Sequence, residues 1–91
     1  MGDFSYNDNT LRAWAPYENW VQMEWLYPGE RAAKVFRAFK KVEKMVKEQG
    51  FRGWVMASER SHKNMHRHII RVGGMPYNID DHNVYFKKEV N

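Results

Sequence analysis

The sequence predicts a small α/β (α+β) domain with one mixed sheet and the element order β-β-α-β-α-β-β. Three observations predict it. Val21, Met23, Trp25 and Tyr27 alternate with Gln22 and Glu24, a strand with one apolar face, and Pro28-Gly29 stops it. Residues 30–49 then place Ala32, Val35, Phe36, Phe39, Val42 and Val46 at helical spacing. Trp54-Val55-Met56-Ala57 follows, apolar on both faces, as expected of a central parallel strand covered on both sides. Strand, long helix and buried strand make a βαβ unit.

The remaining elements fall around that unit. Residues 1–10 are polar, with Phe4 and Tyr6 set among Asp3, Asn7, Asp8 and Asn9, and read as an N-terminal arm or loop before a domain of residues 11–91. Leu11, Ala13 and Ala15 alternate with Arg12 and Trp14, a first strand. Pro16-Tyr17-Glu18-Asn19 is a turn that closes a hairpin with the next strand. The long helix carries six basic residues opposite its apolar stripe, and Gly50 is its expected stop. Glu43 lies inside the stripe, where periodicity gives it no role. Ser58 or Ser61 is placed to cap a second helix in which Met65, Ile69 and Val72 share a face and which Gly73-Gly74 ends. Pro76-Tyr77-Asn78 is a short strand, residues 79–83 a turn, and residues 84–90 a final strand with Val84 and Phe86 on one face.

Ninety-one residues make one domain with a limited core, which large rings such as the four tryptophans help to fill. The absence of cysteine excludes a disulfide scaffold, a thiolate metal site and a Cys nucleophile. No apolar run is long enough to span a membrane, and the polar start does not look like a signal peptide, so a cytoplasmic protein is expected. A net charge of +4 suits an anionic ligand but is too weak by itself to argue for nucleic acid.

Four groups of residues can carry chemistry. The helix start at Gly29, Glu30, Arg31, Ala32 and Ala33 offers free N–H groups and a partial positive charge, which suit a diphosphate. Arg31 can pair with a phosphate there. His62 and His66 share a helix face at a spacing that can chelate a metal with a third ligand from Asp80, Asp81 or His82, but no signature surrounds them, so no metal is expected and half-buried helix histidines are the plainer reading. Arg60, Lys63, Arg67 and Arg71 form a basic stripe that is either a solvated face or, with the basic face of the long helix, a surface for nucleic acid or for an acidic protein patch. Trp14, Trp20, Tyr17 and Tyr85 exceed what so small a core needs, and with an open sheet edge they point to a protein partner or a homodimer.

From Asn19 to Val90 the order and spacing of elements resemble the C-terminal half of the GCN5-related N-acetyltransferase (GNAT) fold. Trp54-Val55-Met56-Ala57-Ser58-Glu59-Arg60-Ser61-His62-Lys63-Asn64 looks like that family's buried strand and the polar start of its last helix, and Gly73-Gly74-Met75 like its helix end. The resemblance implies acetyl-CoA or CoA as cofactor, held by Gly29, Arg31, Ala32, Ala33 and Asn64. It also implies Glu24 as general base, with Tyr27, His62 or His66 as proton donors. Arg60 or Lys63 would meet the 3′-phosphate of CoA. The position of the family's general-acid tyrosine falls on Ile69 or Ile70. The chain also looks like the short GNAT-like proteins of tailed phages. Two functions follow as expectations: an acetyl-CoA-dependent N-acetyltransferase of minimal size, or a catalytically degenerate relative that binds and modulates another protein, a host enzyme if the source is a phage.

Overall fold

The computed structural model describes residues 4–8, 10–16, 18–26 and 32–91, and of Ala32 the backbone alone. Eight elements follow one another: β1 (Ser5–Asn7), β2 (Leu11–Trp14), β3 (Trp20–Trp25), α1 (Ala32–Glu48), β4 (Gly53–Glu59), α2 (Lys63–Arg71), β5 (Met75–Ile79) and β6 (Asn83–Glu89). The six strands form one mixed sheet in the order β1-β2-β3-β4-β6-β5. Only β3 and β4, the strands joined through α1, run parallel; every other neighbouring pair is antiparallel.

Both helices lie on one face of this sheet. Val35, Phe39, Val42 and Val46 of α1 are buried in the same cluster as Val21 and Met23 of β3, Trp54 and Met56 of β4, Ile69 of α2 and Phe86 of β6. Phe39 packs edge-on to Trp25 at 5.6 Å and obliquely to Trp54 at 5.4 Å. A fully buried side chain of this size stabilises by about 1.5–3 kcal/mol, so this single layer of contacts carries the fold.

Three expectations are corrected. First, β4 is covered on one face only: Trp54, Met56 and Ser58 are buried under the helices, whereas Val55 and Ala57 on the other face are half-buried. Its small apolar residues suit an open face that neighbouring rings overhang as well as they suit a second layer. Second, residues 1–10 are not all arm. Ser5–Asn7 adds an edge strand to β2, anchored by Phe4, which is buried and edge-on to Phe51 at 5.5 Å. The Asp8 carboxylate closes that hairpin by accepting the N–H groups of Thr10 (2.7 Å) and Leu11 (2.9 Å). Third, neither serine caps α2. Ser58 is buried within β4, and the residue preceding the helix is His62, which makes no side-chain cap bond.

Both helices end alike. Phe51 N–H reaches back to Val46 and Gly50 N–H to Lys47, while Gly74 N–H reaches Ile69 and Gly73 N–H reaches Ile70. These are paired bonds of a Schellman turn, with Gly50 (φ 77°) and Gly73 (φ 99°) at its left-handed position. Gly74 is required for a different reason. A Cβ there would lie 2.6 Å from Ile69 Cγ2 and 2.8 Å from Trp54 Cη2.

Glu43 acquires its role here. Its Oε1 accepts hydrogen bonds from Trp54 Nε1 (3.1 Å) and from Lys88 Nζ (2.7 Å), and the same ammonium donates to the Val72 carbonyl (2.8 Å). One carboxylate inside the apolar stripe thus ties α1 to β4, to β6 and to the end of α2.

Candidate functional site

The sheet has an opening built into its one parallel pair. β3 and β4 are in register over Trp20↔Gly53, Val21↔Trp54, Gln22↔Val55 and Met23↔Met56, and no further. Beyond that point Glu24 and Trp25 pair only with Arg12 and Leu11 on β2, and Ala57, Ser58 and Glu59 only with Tyr85, Val84 and Asn83 on β6. Pairing between the two strands ends there, and the backbone edges facing each other beyond it have no sheet partner among the described residues. At the same end, Trp25 Nε1 is buried without a hydrogen-bond partner among the described residues. The chain leaves β3 at this end, and α1, which carries it back to the start of the parallel strand β4, has its free N–H groups toward the same end.

The expected site residues divide in three. Tyr27, Gly29 and Arg31 lie outside the described residues. Ala32 opens α1, and Ala33 is exposed in its first turn. Glu24 stands in the parted stretch of β3, exposed, with its carboxylate turned to Arg12 on β2 (3.2 Å). Asn64 is exposed at the start of α2, one turn before His68, whose ring meets Phe36 of α1 edge-on at 5.6 Å. The packing of α2 against the early turns of α1 therefore puts Asn64 on the α1 side of the molecule. Asn64 lines a shallow hollow with Arg67, His68 and Arg71.

The other candidates have structural employment. His62 Nε2 meets the Glu59 carboxylate at 3.0 Å and His66 Nε2 the Glu59 carbonyl at 2.8 Å. Among the described residues no three His, Asp or Glu side chains gather as a metal site. Ile69 is fully buried and Ile70 is exposed, and neither carries a transferable proton. No helix of the described chain is long and apolar enough to cross a membrane. Arg60 donates to the Asp80 carbonyl at 3.5 Å, and Arg71 lies 6.0 Å over the Phe36 ring, so the basic stripe is partly engaged.

Sequence reasoning did not find the concavity on the face opposite the helices. It is a cup of about 390 Å³ whose floor is Val55 and Ala57 and whose walls include Trp20, Tyr77 and Tyr85, with Gln22 and Lys87 at opposite sides. Met56, the last residue of β4 paired with β3, also borders it. The outward alternation of Trp20 and Gln22 on β3 and of Tyr85 and Lys87 on β6 was the available signal. Only the sheet order shows that they meet. The loop beside the cup is fixed by Asp80, whose carboxylate accepts the N–H groups of His82 and Asn83 and the Tyr85 hydroxyl. The Tyr85 hydrogen bond, followed by the two backbone N–H groups, pulls its pKa down to about 2.

Compared with protein-family models, with curated proteins and with solved structures, the chain matches none.

Proposed function

We propose that this chain is a GNAT-like acyl-CoA-binding domain, acting as an N-acetyltransferase of minimal size. The end of pairing between β3 and β4 is the observation that carries the reading. Two parallel strands that stop pairing leave a row of unpaired amide groups, and an extended ligand that itself contains amides, as the pantetheine arm of CoA does, can complete that pairing as an added strand would. The residues present fit such a group in two further ways. Trp25 Nε1 is a buried donor without an acceptor among the described residues. The start of α1, with Ala32 and Ala33, and Gly29 and Arg31 just before it in sequence, supplies N–H groups and a cation for a diphosphate. Acetyl-CoA, when bound, would supply an acetyl thioester whose acyl group passes to an amine, the C–S bond breaking to release the CoA thiol with the proton the amine loses. The chain's own part is to hold the cofactor extended and to leave the amine an approach from the open face of the sheet.

Calorimetric titration with CoA and acetyl-CoA tests the reading. Saturable heat is expected, with Arg31→Glu weakening it by roughly 1–3 kcal/mol, the usual loss for a charge-assisted contact. No heat and no melting shift at millimolar CoA defeats it.

A second reading has its own observation. Glu24, the residue implied as base, is ion-paired with Arg12, and the family's acid position is Ile69 or Ile70. That favours a degenerate relative that modulates another protein. CoA binding without acetyl transfer to any amine, together with a retained protein partner, distinguishes it.

A further inference from the structure

We propose that the cup on the open face binds a small aromatic carboxylate: a flat ring with an anionic group at one end and a hydrogen-bonding group at the other. The proposal does not rest on the acyl-CoA reading, because the cup lies on the face of the sheet and not between its strands.

The cup's shape sets the first requirement. At about 390 Å³ it is the size of a small-molecule site and has no room for a folded segment. Its floor is the half-buried pair Val55 and Ala57, flat because both are short and lie on one strand. Tyr77 and Tyr85 stand 6.4 Å apart with their planes inclined at 53°, and Trp20 borders the cup from β3. Rings around an apolar floor favour a planar ring, which stacks or packs edge-on against them.

Charge sets the second requirement. The open face carries several charged groups, and nearly all are already paired. Arg12 is bound to Glu24 at 3.2 Å and Arg52 to Glu89 at 2.7 Å, and Asp80 is occupied by Tyr85 and two backbone N–H groups. Lys87 is the exception. Its ammonium lies 5.3 Å over the Tyr77 ring and has no carboxylate partner among the described residues. A second copy of this chain laid on the face would bring to Lys87 the carboxylates of Glu24, Glu89 and Asp80, each of them already engaged. A free small anion has no such conflict.

Register sets the third. Gln22, Val55 and Lys87 are cross-strand neighbours in one row over three adjacent strands. Gln22 and Lys87 therefore face each other across Val55 at about twice the strand spacing, roughly 10 Å between their backbones. Among the described residues the Gln22 amide makes one long contact, 3.4 Å to the Met23 carbonyl, in which its oxygen takes no part. A ring lying over Val55 with its carboxylate toward Lys87 presents its opposite substituent to Gln22.

Para-aminobenzoate is the probe, with aniline as the same ring without the anion and acetate as the anion without the ring. Amide chemical-shift mapping of the full chain should show saturable changes centred on Gln22, Val55, Ala57 and Lys87. Para-aminobenzoate should bind about tenfold or more tightly than either fragment, as a charge-assisted contact implies. Lys87→Met should remove its advantage over aniline and leave the circular dichroism spectrum unchanged. Trp20→Ala should weaken both ring compounds. The proposal is overturned by any of four results: no saturable shift at millimolar probe, shifts confined to other surfaces, equal affinity for para-aminobenzoate and aniline, or a Lys87→Met variant that binds as the parent does. Light scattering that shows a dimer protecting these same amides without probe also overturns it, in favour of a second copy.

Discussion

Replacing Glu43 by Leu should destabilise the fold far more than a lone helix carboxylate would suggest. The Glu43 side chain is 20 % exposed and that of Lys88 28 %, so water only partly screens their contact. Three consequences follow from the substitution. Trp54, fully buried, is left with an unsatisfied indole N–H, which costs about 1–3 kcal/mol. Lys88 loses its charge-assisted bond, about 1.5–3 kcal/mol, though it keeps the Val72 carbonyl and some access to water. Leucine returns part of this by burying apolar surface in an apolar stripe. The net expectation is a loss of about 2–4 kcal/mol, roughly 10–25 °C in melting temperature for a domain of this size. Chemical denaturation of Glu43→Leu, Lys88→Met and the double variant measures it as a cycle. Once the charge at one end is gone, removing the other should cost little, so the double variant should be less destabilised than the sum by about 1–2 kcal/mol. Glu43→Gln, which keeps an acceptor for Trp54, should fall between the parent and Glu43→Leu. Additive effects, or a Glu43→Leu loss under about 0.5 kcal/mol, would refute the network as the reason for a carboxylate in that stripe.

Other expectations are more local. Gly53→Ala should break the pairing of β4 with β6, because its Cβ would sit 2.0 Å from the Lys88 carbonyl oxygen, and loss of the folded amide spectrum reads this. Gly74→Ala should cost about 1–3 kcal/mol through overpacking against Trp54 and Ile69, measured by denaturant midpoint. The β5–β6 turn should loosen in acid. Asp80 titrates at about 2 in the fold against 3.8 ordinarily, so its contribution is intact above 3.8 and is lost as pH falls through 2; amide shifts of His82 and Asn83 should follow that titration. At the other end of the sheet, burial first, then the hydrogen bond to Asp8, pushes the Tyr6 hydroxyl up to about 12. Its contribution is therefore whole below pH 10 and disappears as pH rises through 12, whereas Tyr6→Phe should remove that dependence.

The parts of the fold legible in the sequence are those with a period or a stop signal. The stripe from Val35 to Val46 required one helix against one apolar layer, and Gly50 and Gly73 are where the left-handed turns occur. Alternation from Val21 to Trp25 and from Val84 to Phe86 gave strands in the right places. Ser5–Asn7 was hidden because three largely polar residues have no readable period; a turn at Asp8 and the distant ring of Phe51 hold them. Glu43 was opaque for a similar reason, since its partners lie 11 and 45 residues away along the chain. Of the candidate site, the helix start was readable because it follows a strand and a Pro-Gly break. The cup was not: Gln22, Val55 and Lys87 become neighbours only through the order β3-β4-β6, which no local pattern encodes.

β4 is the strand on which these features converge, and its alternation keeps them separable. On the helix side, Trp54 is held by Glu43 and Met56 is buried, so changes there register as stability. On the open side, Val55 and Ala57 are half-buried and floor the cup, so changes there register as binding. Toward the C-terminal end, Ala57 to Glu59 pair on the β6 side alone and border the opening beside β3. A single strand therefore meets the core through one set of residues, the cup through the alternate set, and the opening through its unpaired backbone edge. Adding one methyl group at Ala57 on the open face should alter the cup without touching Trp54. It should leave the backbone edge facing β3 free to accept an extended ligand. The cup and the unpaired edge meet at Met56, which ends the β3 pairing and also borders the cup. Where binding at one is coupled to binding at the other, linkage requires each ligand to shift the affinity of the other by the same factor.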